Sequence, residues 1–418
     1  MTNTSFSAIL SLMHREIVPA LGCTEPIAVA LCAARTREKL GCEPDTIDCQ
    51  LSANILKNAM GVGIPNTQME GLPIAIALGT TIGHSELQLE VLRETTPQAV
   101  EYAKAFLKRV KLSISVAQTD EVLYIHCTMT AGDRTASSTI AGSHTHFVED
   151  EEKDNSALTE QEADNTVELN MLRVYDFAMK APLDDLRFLD DAAKMDLSAA
   201  EYSFEGCWGH RLGRLIHEGK LDDLLGDTTF KHILSYTSGA CDARMGGAML
   251  PVMSNSGSGN QGISCTVPVA VYANDHHASD EQRLRALALS NLTVIYIKQS
   301  LGRLSALCGC VVAATGAACG ITYLMGGSYN QISIAVKNMV ANITGMICDG
   351  AKPSCAFKVT GGVATALLAA SFAMNHRHCD CQEGITDDDV DQSISNLTRI
   401  GKEGMKQTDK VILDIMTK

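Results

Sequence analysis

Residues 304–325 read LSALCGCVVAATGAACGITYLM and contain no charged side chain. The stretch is rich in glycine and alanine, and the polar residues Ser305, Thr315 and Thr322 interrupt it. A membrane span needs about 20 predominantly apolar residues, whereas small residues let neighbouring helices approach each other closely. We therefore predict that this stretch is a buried helix in a helical core and that the chain has no membrane span.

The composition of the whole chain is that of a globular protein. Its 418 residues are 45% hydrophobic, 20% charged and only 5% aromatic, which favours closely packed helices over an aromatic-rich β-sandwich. The net charge of −15 repels phosphate backbones, and no basic patch compensates for it, so we expect no nucleic-acid partner. The N-terminal segment lacks the features of a signal peptide, and we expect a cytoplasmic protein.

Hydrophobic periodicity elsewhere predicts an α+β fold, with a predominantly helical core and a small inserted antiparallel-sheet subdomain. Predicted strands cover 46–51, 112–117, 122–130, 134–141 and 146–149, and a helix covers 97–110. Further helices are predicted at 168–180, 184–195, 210–225, 279–303, 305–325, 330–347, 359–377 and 387–416. We accordingly divide the chain into an N-terminal helical part of the core (1–84), the inserted subdomain (85–160) and the remaining helical core (161–418). A charged surface connection is expected over 150–165.

Several of the fifteen cysteines lie at breaks between predicted helices. Cys23 lies in Leu-Gly-Cys-Thr-Glu-Pro, where Thr24 can cap the following helix and the helix dipole favours a thiolate. The other breaks contain Cys308, Cys310, Cys348 and Cys355. Three thiolates on a four-iron cluster leave one iron open to a ligand. Spacing alone favours buried structural thiols over a cluster, and no Cys-x-x-Cys pair indicates structural zinc.

A second motif combines small and polar residues over 254–262, Ser-Asn-Ser-Gly-Ser-Gly-Asn-Gln-Gly, before an apolar segment. Backbone N–H groups and side-chain donors in such a run can hold a carboxylate at a helix N-terminus. Arg244 lies nearby in the sequence and can bind a carboxylate with two donors. The candidate binding residues are Arg244, Ser254, Asn255, Ser256, Ser258 and Asn260. The alternative is a flexible loop, and the motif is neither a P-loop nor a dinucleotide fingerprint.

Candidates for proton transfer are less distinctive. Asn54, Lys57 and Asn58 can share one face of a helix, although a solvated surface explains that spacing equally well. His144 lies at a predicted strand junction, and histidine titrates near neutral pH. The tract 375–381, Asn-His-Arg-His-Cys-Asp-Cys, is better explained as a charged helix end than as a designed metal site.

Taken together, these motifs resemble the L-cysteine desulfidase family, which is related to the α region of iron–sulfur L-serine dehydratases. The resemblance extends over essentially the whole chain. The matching elements are Ala20–Pro26, Asn54–Asn58, Asp242–Gly247, Ser254–Gly262, Arg303–Cys308 and Met346–Ala351.

The resemblance implies a [4Fe–4S] cluster held by Cys23, Cys308 and Cys348, with Cys310 or Cys355 as alternatives for one ligand. It implies a carbon–sulfur lyase for cysteine catabolism that eliminates sulfide from L-cysteine and yields pyruvate, ammonia and hydrogen sulfide. Arg244 and the 254–262 loop would bind the substrate carboxylate, and Lys57 or His144 would act as the base.

Two other functions stay open at this point. The same site could eliminate water from L-serine or a related hydroxy-amino acid. The chain could also be a non-catalytic iron–sulfur sensor or carrier. In the catalytic cases we expect a small amino acid as the only ligand class, no membrane partner, and a homodimer as a possible assembly.

Overall fold

The computed structural model describes residues 3–119, 121–150, 167–302 and 305–417. Most of the predicted surface connection, and Arg303 and Leu304, lie outside the described residues. The helices are α1 (Asn3–Glu16), α2 (Thr24–Leu40), α3 (Ala53–Ala59), α4 (Leu72–Ile82), α5 (Pro97–Leu107), α6 (Met171–Lys180), α7 (Leu183–Leu186), α8 (Phe188–Glu205), α9 (Leu212–His217), α10 (Asp222–Leu225), α11 (Thr229–Met245), α12 (Gly259–Asp275), α13 (Asp280–Leu301), α14 (Gly309–Leu324), α15 (Tyr329–Ile343), α16 (Cys355–Met374), α17 (Val390–Arg399) and α18 (Lys406–Met416). The strands are β1 (Pro19–Leu21), β2 (Thr46–Leu51), β3 (Gly63–Ile64), β4 (Met69–Glu70), β5 (Lys111–Val116), β6 (Tyr124–Ala131), β7 (Arg134–Ala141) and β8 (Pro251–Met253).

The helical core, formed by the buried apolar residues of α1 and α6–α17, surrounds α14. This helix packs against α12, α13, α15 and α16, and all its residues from Cys310 to Thr322 are buried. A Cβ atom at Gly320 would lie 2.8 Å from the carbonyl oxygen of Ala286 on α13, so only glycine allows this approach. The prediction of a buried helix in the opening stretch is confirmed, although the helix begins at Gly309.

The sheet core, formed by the buried apolar residues of α2–α5 and a four-stranded sheet, contains the β structure that the sequence predicted. Its strand order is β5-β2-β6-β7, and α2 packs against β6 and β7. The strands alternate between buried and less buried residues, because one face of the sheet is covered by helices. A helical core with a small sheet is thus the observed α+β fold.

The sheet differs from the predicted one in two respects. The β2–β5 pair is parallel, so the sheet is mixed and not purely antiparallel. The predicted strand at 146–149 is absent: Phe147 makes one isolated bridge to Ile140, and a 3₁₀ turn follows. Since β2 comes from before residue 85, the sheet joins segments on both sides of that proposed boundary, and the division into three segments remains a prediction.

The helices differ from the predicted ones where small residues resemble loop sequence. Residues 238–245 belong to α11, which we did not predict. Small residues are needed in this helix because it packs closely against α8. A Cβ atom at Gly239 would lie 2.7 Å from Ser203 Oγ. The predicted helix at 210–225 is two short helices, α9 and α10, and the predicted helix at 387–416 is divided by a π-helical turn at Ile400–Gly404.

The helix α18 connects the two cores. Met405, directly before it, is part of the helical core, and Leu413 packs against the sheet core. The preceding π-helical turn packs closely as well, since a Cβ atom at Gly401 would lie 2.6 Å from Leu301 Cδ1 and 3.1 Å from Leu307 Cβ. This segment therefore contacts the chain just before Cys308 on one side and the sheet core on the other.

One described helix, α16, is long and apolar enough to cross a membrane by length and composition alone. That test is weak, because core helices of globular proteins also pass it. Residues of α16 pack against α11, α14 and α15. In its apolar window 44% of the residues are buried, and the absence of a membrane span stays a prediction.

Candidate active site

A cavity of about 150 Å³ lies where α2 and α3 meet the helical core. All five cysteines that the sequence analysis singled out line this cavity. Its lining residues include Cys23, Thr24, Glu25, Lys57, Asn58, Arg244, Ser258, Asn260, Gln261, Lys298, Cys308, Cys310, Cys348, Cys355 and Lys358. The structure therefore brings together three motifs that are hundreds of residues apart in the sequence.

Four helices point their N-termini at this cavity. Cys23 is the N-cap residue of α2, Ser258 of α12 and Cys308 of α14, and α16 begins at Cys355. Each N-terminus places the positive end of a helix dipole at the cavity. Because Lys57, Arg244, Lys298 and Lys358 line the same cavity and Glu25 is its one carboxylate among the described lining residues, the cavity favours an anionic ligand.

The cysteines on the helical side are held by backbone hydrogen bonds between two chain segments. The amide of Cys308 donates to Met346 O at 2.9 Å, and the amide of Cys348 donates to Ala306 O at 2.7 Å. The Cys308 and Cys310 sulfurs are 3.4 Å apart, and Cys310 Sγ is 3.0 Å from Met346 Sδ. The backbone thus fixes Cys308 and Cys348 side by side.

The surroundings raise the pKa values of three thiols in this cavity, Cys23, Cys308 and Cys348. Burial, followed by the negative charge of Glu25, raises the pKa of Cys23 well above its usual value. A hydrogen bond with Cys310 raises the pKa of Cys308, and a hydrogen bond with Cys308 raises the pKa of Cys348. Burial thus outweighs the helix dipole, which the sequence analysis expected to favour a thiolate at Cys23. Such thiols release their protons when a metal binds, because only the metal offsets the burial of a negative charge.

The donor set fits an iron–sulfur cluster better than a single metal ion. Within the described part of the chain, no three His, Cys, Asp or Glu side chains converge as ligands of one ion. A cluster has no such requirement, because each thiolate binds a different iron atom. The cysteines of this cavity are accompanied by no histidine, and thiolates are the usual ligands of iron–sulfur clusters.

Arg244, in the last turn of α11, has an unused donor. Its Nη1 atom donates to Asn260 Oδ1 at 3.1 Å, whereas its Nε atom is buried and has no hydrogen-bond partner. The first residue of α12 must be glycine here, because a Cβ atom at Gly259 would collide with Arg244 Nε. The guanidinium thus lies against the N-terminus of α12, where both groups can bind a carboxylate.

Gln261, which we did not single out from the sequence, has an unused acceptor. The residue is 3% exposed, and its Oε1 atom has no hydrogen-bond partner. Its Nε2 atom donates to Asn255 O at 3.5 Å. A buried polar atom without a partner costs roughly 1–3 kcal/mol, so such atoms usually have a ligand. Gln261 lies within the 254–262 motif, but only the structure shows that it has an unpaired acceptor.

The residues of the 254–262 loop have two different functions. Ser258 and Asn260 line the cavity, as expected for substrate-binding residues. Ser254, Asn255 and Ser256 do not line it. Their side chains form protein contacts instead: Ser254 Oγ donates to Val18 O, Asn255 Nδ2 donates to Asn291, and Ser256 Oγ donates to Asn255. These three residues hold the loop in place.

The two proton-transfer candidates differ in position. Lys57 lines the cavity, and its Nζ atom is 2.5 Å from Asp409 Oδ1. His144 does not line the cavity. Its Nε2 atom is 3.4 Å from Oγ1 of Thr24, which does. Glu25 is engaged on both oxygens, since it accepts hydrogen bonds from Cys23 Sγ at 2.8 Å and from Asn58 Nδ2 at 3.1 Å. Glu25 and Thr24 are further site residues that the sequence reasoning did not select.

This chain is similar to known proteins over most of its length. A family model described as serine dehydratase alpha chain matches residues 86–414. A UPF0597 protein of Bacteroides thetaiotaomicron is 60% identical over 98% of this chain and 97% of its own length. UPF0597 proteins of Bacteroides fragilis and Phocaeicola vulgatus are each 58% identical, over 100% and 98% of this chain and 99% and 97% of their own lengths. The chain therefore belongs to the serine dehydratase alpha chain family and is a relative of its UPF0597 proteins.

Proposed function

We propose that the protein is an iron–sulfur lyase that converts L-cysteine and water to pyruvate, ammonia and hydrogen sulfide. The observation that carries this proposal is a pair of unused buried polar atoms, Arg244 Nε and Gln261 Oε1, at a cavity lined by cysteines. A donor and an acceptor of this kind are what the carboxylate and the ammonium group of an α-amino acid require. The small cavity suits a small amino acid.

In this proposal Cys23, Cys308 and Cys348 hold a [4Fe–4S] cluster, with Cys310 and Cys355 as neighbouring thiols. The bound cluster supplies an open iron atom that acts as a Lewis acid toward the substrate. The N-termini of α2, α14 and α16 stabilise the negative charge of the cluster and its thiolates.

The protein's own residues orient the substrate. Arg244 Nε and the N-terminus of α12 bind the carboxylate, and Gln261 Oε1 accepts a hydrogen bond from the ammonium group. Ser258 and Asn260 border the same space. Binding between these groups fixes the direction of the Cα–H and Cβ–S bonds, and orientation of this kind lowers the entropic part of the barrier.

Removal of the α-proton and stabilisation of the departing sulfur are assigned to different residues. The contact between Thr24 Oγ1 and His144 Nε2 supports a relay in which Thr24 accepts the α-proton while its own proton passes to His144. Lys57 Nζ forms an ion pair with Asp409 Oδ1, so this atom is already engaged as a donor and is not assigned the role of the base. Lys57 is therefore assigned to stabilise the negative charge that develops on the departing sulfur.

L-Serine is the second candidate substrate, because the matching family is described as serine dehydratase alpha chain. The same groups would bind it, and water would leave in place of sulfide. A sensor or carrier is less favoured, because it has no use for Arg244 Nε and Gln261 Oε1 in the cavity. A cytoplasmic location and a homodimer are part of the proposal and are argued only from the sequence.

The test is release of sulfide and pyruvate from L-cysteine, with L-serine in parallel, by protein purified without oxygen and supplied with iron and sulfide. Equal amounts of sulfide and pyruvate from L-cysteine are expected. Pyruvate from L-serine alone would reassign the enzyme as a serine dehydratase. No product from either substrate, with the visible absorbance of a cluster present, would overturn the catalytic proposal.

A further inference from the structure

The Lys57–Asp409 ion pair joins two distant parts of the chain at the candidate active site. Lys57 is 4% exposed and lies on α3, and Asp409 lies on α18, 352 residues later in the sequence. The Nζ–Oδ1 distance is 2.5 Å, and the Asp409 side chain is 32% exposed. Surface ion pairs contribute little energy, but a buried ammonium without its partner is costly. The pair therefore determines where Lys57 Nζ lies inside the cavity.

The geometry around Lys57 leaves Asp409 as its one carboxylate partner among the described residues. Glu25, the one carboxylate among the described lining residues, accepts hydrogen bonds from Cys23 and Asn58 instead. The nearby cation Lys352 donates to the carbonyl oxygen of Lys57 at 3.4 Å and so adds positive charge. Without Asp409, Lys57 would have no carboxylate in ion-pair contact among the described residues.

The helix that carries Asp409 is anchored on both cores. Met405 belongs to the helical core, Leu413 packs against the sheet core, and Ile412 is 7% exposed. The π-helical turn before α18 contacts Leu307, the residue before Cys308. Because α18 is fixed at both ends, Asp409 has a defined position relative to the cysteines as well as to Lys57.

We propose that Asp409 is a positioning residue that holds Lys57 as an ammonium group facing the leaving group of the substrate. This inference rests on the proposed function and adds a residue of α18 to the site. Asp409 acts through Lys57, because Asp409 does not line the cavity and Lys57 does. The consequence is that α18 is required for catalysis even though no cysteine of the site lies on it.

Kinetics of the reconstituted enzyme test this inference with three variants of α18. Asp409→Asn should lower kcat for L-cysteine by about 10- to 100-fold, the range for a lost hydrogen bond to a charged group, with little change in KM. Asp409→Glu should restore part of kcat. Asp414→Asn, an exposed aspartate on the same helix, is the matched control and should leave kcat unchanged.

A double-mutant cycle separates positioning from a structural effect. In a Lys57→Met background, Asp409→Asn should cause no further loss of kcat, because the residue through which it acts is gone. An additional loss equal to that in the wild type would overturn the proposal. Equal kcat for Asp409→Asn and Asp414→Asn in an active enzyme would also overturn it.

A measurement without substrate distinguishes this inference from the proposed function. A small acylating reagent followed by peptide mass spectrometry reports how accessible and nucleophilic Lys57 is. Lys57 should be acylated at least several-fold faster in Asp409→Asn than in the wild type or in Asp414→Asn. The acylation rates can be compared even if the wild type has no lyase activity. Equal acylation rates in all three proteins would refute the positioning of Lys57 by Asp409.

Discussion

The two cores of this protein each bury a group of cysteines, and the two groups differ in their surroundings. In the sheet core, Cys49 and Cys127 face each other across β2 and β6 with sulfurs 3.4 Å apart, and Cys32 Sγ donates to Ser138 O at 3.3 Å. These three residues are fully buried among apolar side chains. The cysteines of the other group, led by Cys23, Cys308 and Cys348, line a cavity with four cationic side chains, and Cys23 and Cys308 are helix N-cap residues.

Burial and proximity of thiols therefore do not by themselves indicate a metal site. Burial is the main cause that raises the pKa of Cys32, as it is for Cys23, so neither pKa distinguishes the groups. The difference is the electrostatic environment and the space beside the sulfur. Thiols in an apolar core act as small hydrophobic groups, whereas thiols at several positive helix ends can become ligands once a metal replaces their protons.

The largest effect is expected from exchanging one cysteine in each group. Cys348→Ser should remove the visible absorbance of the reconstituted cluster and reduce sulfide release to background, because one ligand is lost. Cys127→Ala should leave both the absorbance and sulfide release near the wild-type values. Anaerobic reconstitution followed by absorbance and activity measurements compares the two variants directly. A cluster that survives Cys348→Ser and disappears in Cys127→Ala would reverse the comparison.

A second comparison concerns arginine. Arg244→Lys should lower kcat/KM about 100-fold, because a lysine cannot reproduce the two-donor contact with a carboxylate, while the cluster absorbance persists. In the sheet core, Arg37 instead donates to the carbonyl oxygens of Thr80 and Gly83. Arg37→Lys should change the midpoint of thermal unfolding but leave kcat/KM within about twofold. Similar losses of kcat/KM in both variants would contradict the assignment of Arg244 to substrate binding.

One carboxyl group in each core should make the free energy of unfolding depend on pH, and the two dependences should have opposite signs. Burial raises the pKa of Asp242 to about 6 even though it accepts hydrogen bonds from the amides of Gly213 and His210. Its folded pKa exceeds its unfolded one, so its contribution to stability is present below about pH 4 and is lost as the pH rises through 6. From that difference in pKa, the loss is at most about 3 kcal/mol.

In the sheet core, burial would raise the pKa of Glu149, but hydrogen bonds from Lys39 and the amide of Thr139 hold it below its usual value. Its contribution is therefore lost as the pH falls. Guanidinium unfolding at pH 3–7 should show that Asp242→Asn removes a decrease in stability with rising pH, whereas Glu149→Gln removes an increase at the acidic end of that range. Parallel pH profiles for the two variants would disprove this contrast.

The smallest effect is expected from a cysteine that acts only as core packing. Cys32→Ala should lower the free energy of unfolding by about 1–2 kcal/mol, because it removes a buried sulfur and leaves a small cavity. Its kcat/KM for L-cysteine should equal that of the wild type. Urea unfolding and steady-state kinetics of the same preparation provide both values. A large loss of activity without a loss of stability would instead assign Cys32 a role in the candidate active site.

Much of this organisation could be predicted from the sequence because it follows from local patterns. The charge-free stretch at 304–325 predicted a buried helix, and motif resemblance identified the family. Alternation predicted the four strands of the main sheet, β2, β5, β6 and β7. Helix α11 was missed because the residues around Gly239 resemble a loop, and only the nearby Ser203 explains why small residues are needed there. The parallel β2–β5 pair was missed because local alternation does not specify a distant partner.

The candidate site was predictable as a set of motifs but not as a geometry. Nothing in the 254–262 sequence separates Ser254 and Ser256, which bind the protein backbone and Asn255, from Ser258, which lines the cavity. Gln261 stands out only because the folded structure leaves its acceptor unsatisfied. Asp409 belongs to no recognised motif, and its distance along the chain hides its contact with Lys57.

The pairing of Lys57 with Asp409 also bears on the order of events during biosynthesis. The two residues are 352 positions apart. At the usual ribosomal rates of about 5–20 residues per second, roughly 18–70 s pass between their syntheses. During that interval Lys57 and the early cysteine Cys23 exist without their partners, exposed to chaperones and to premature metal capture. Because Cys23, Cys308 and Cys348 all precede Asp409, iron uptake by nascent chains that end before α18 would show whether the cluster site forms without that helix.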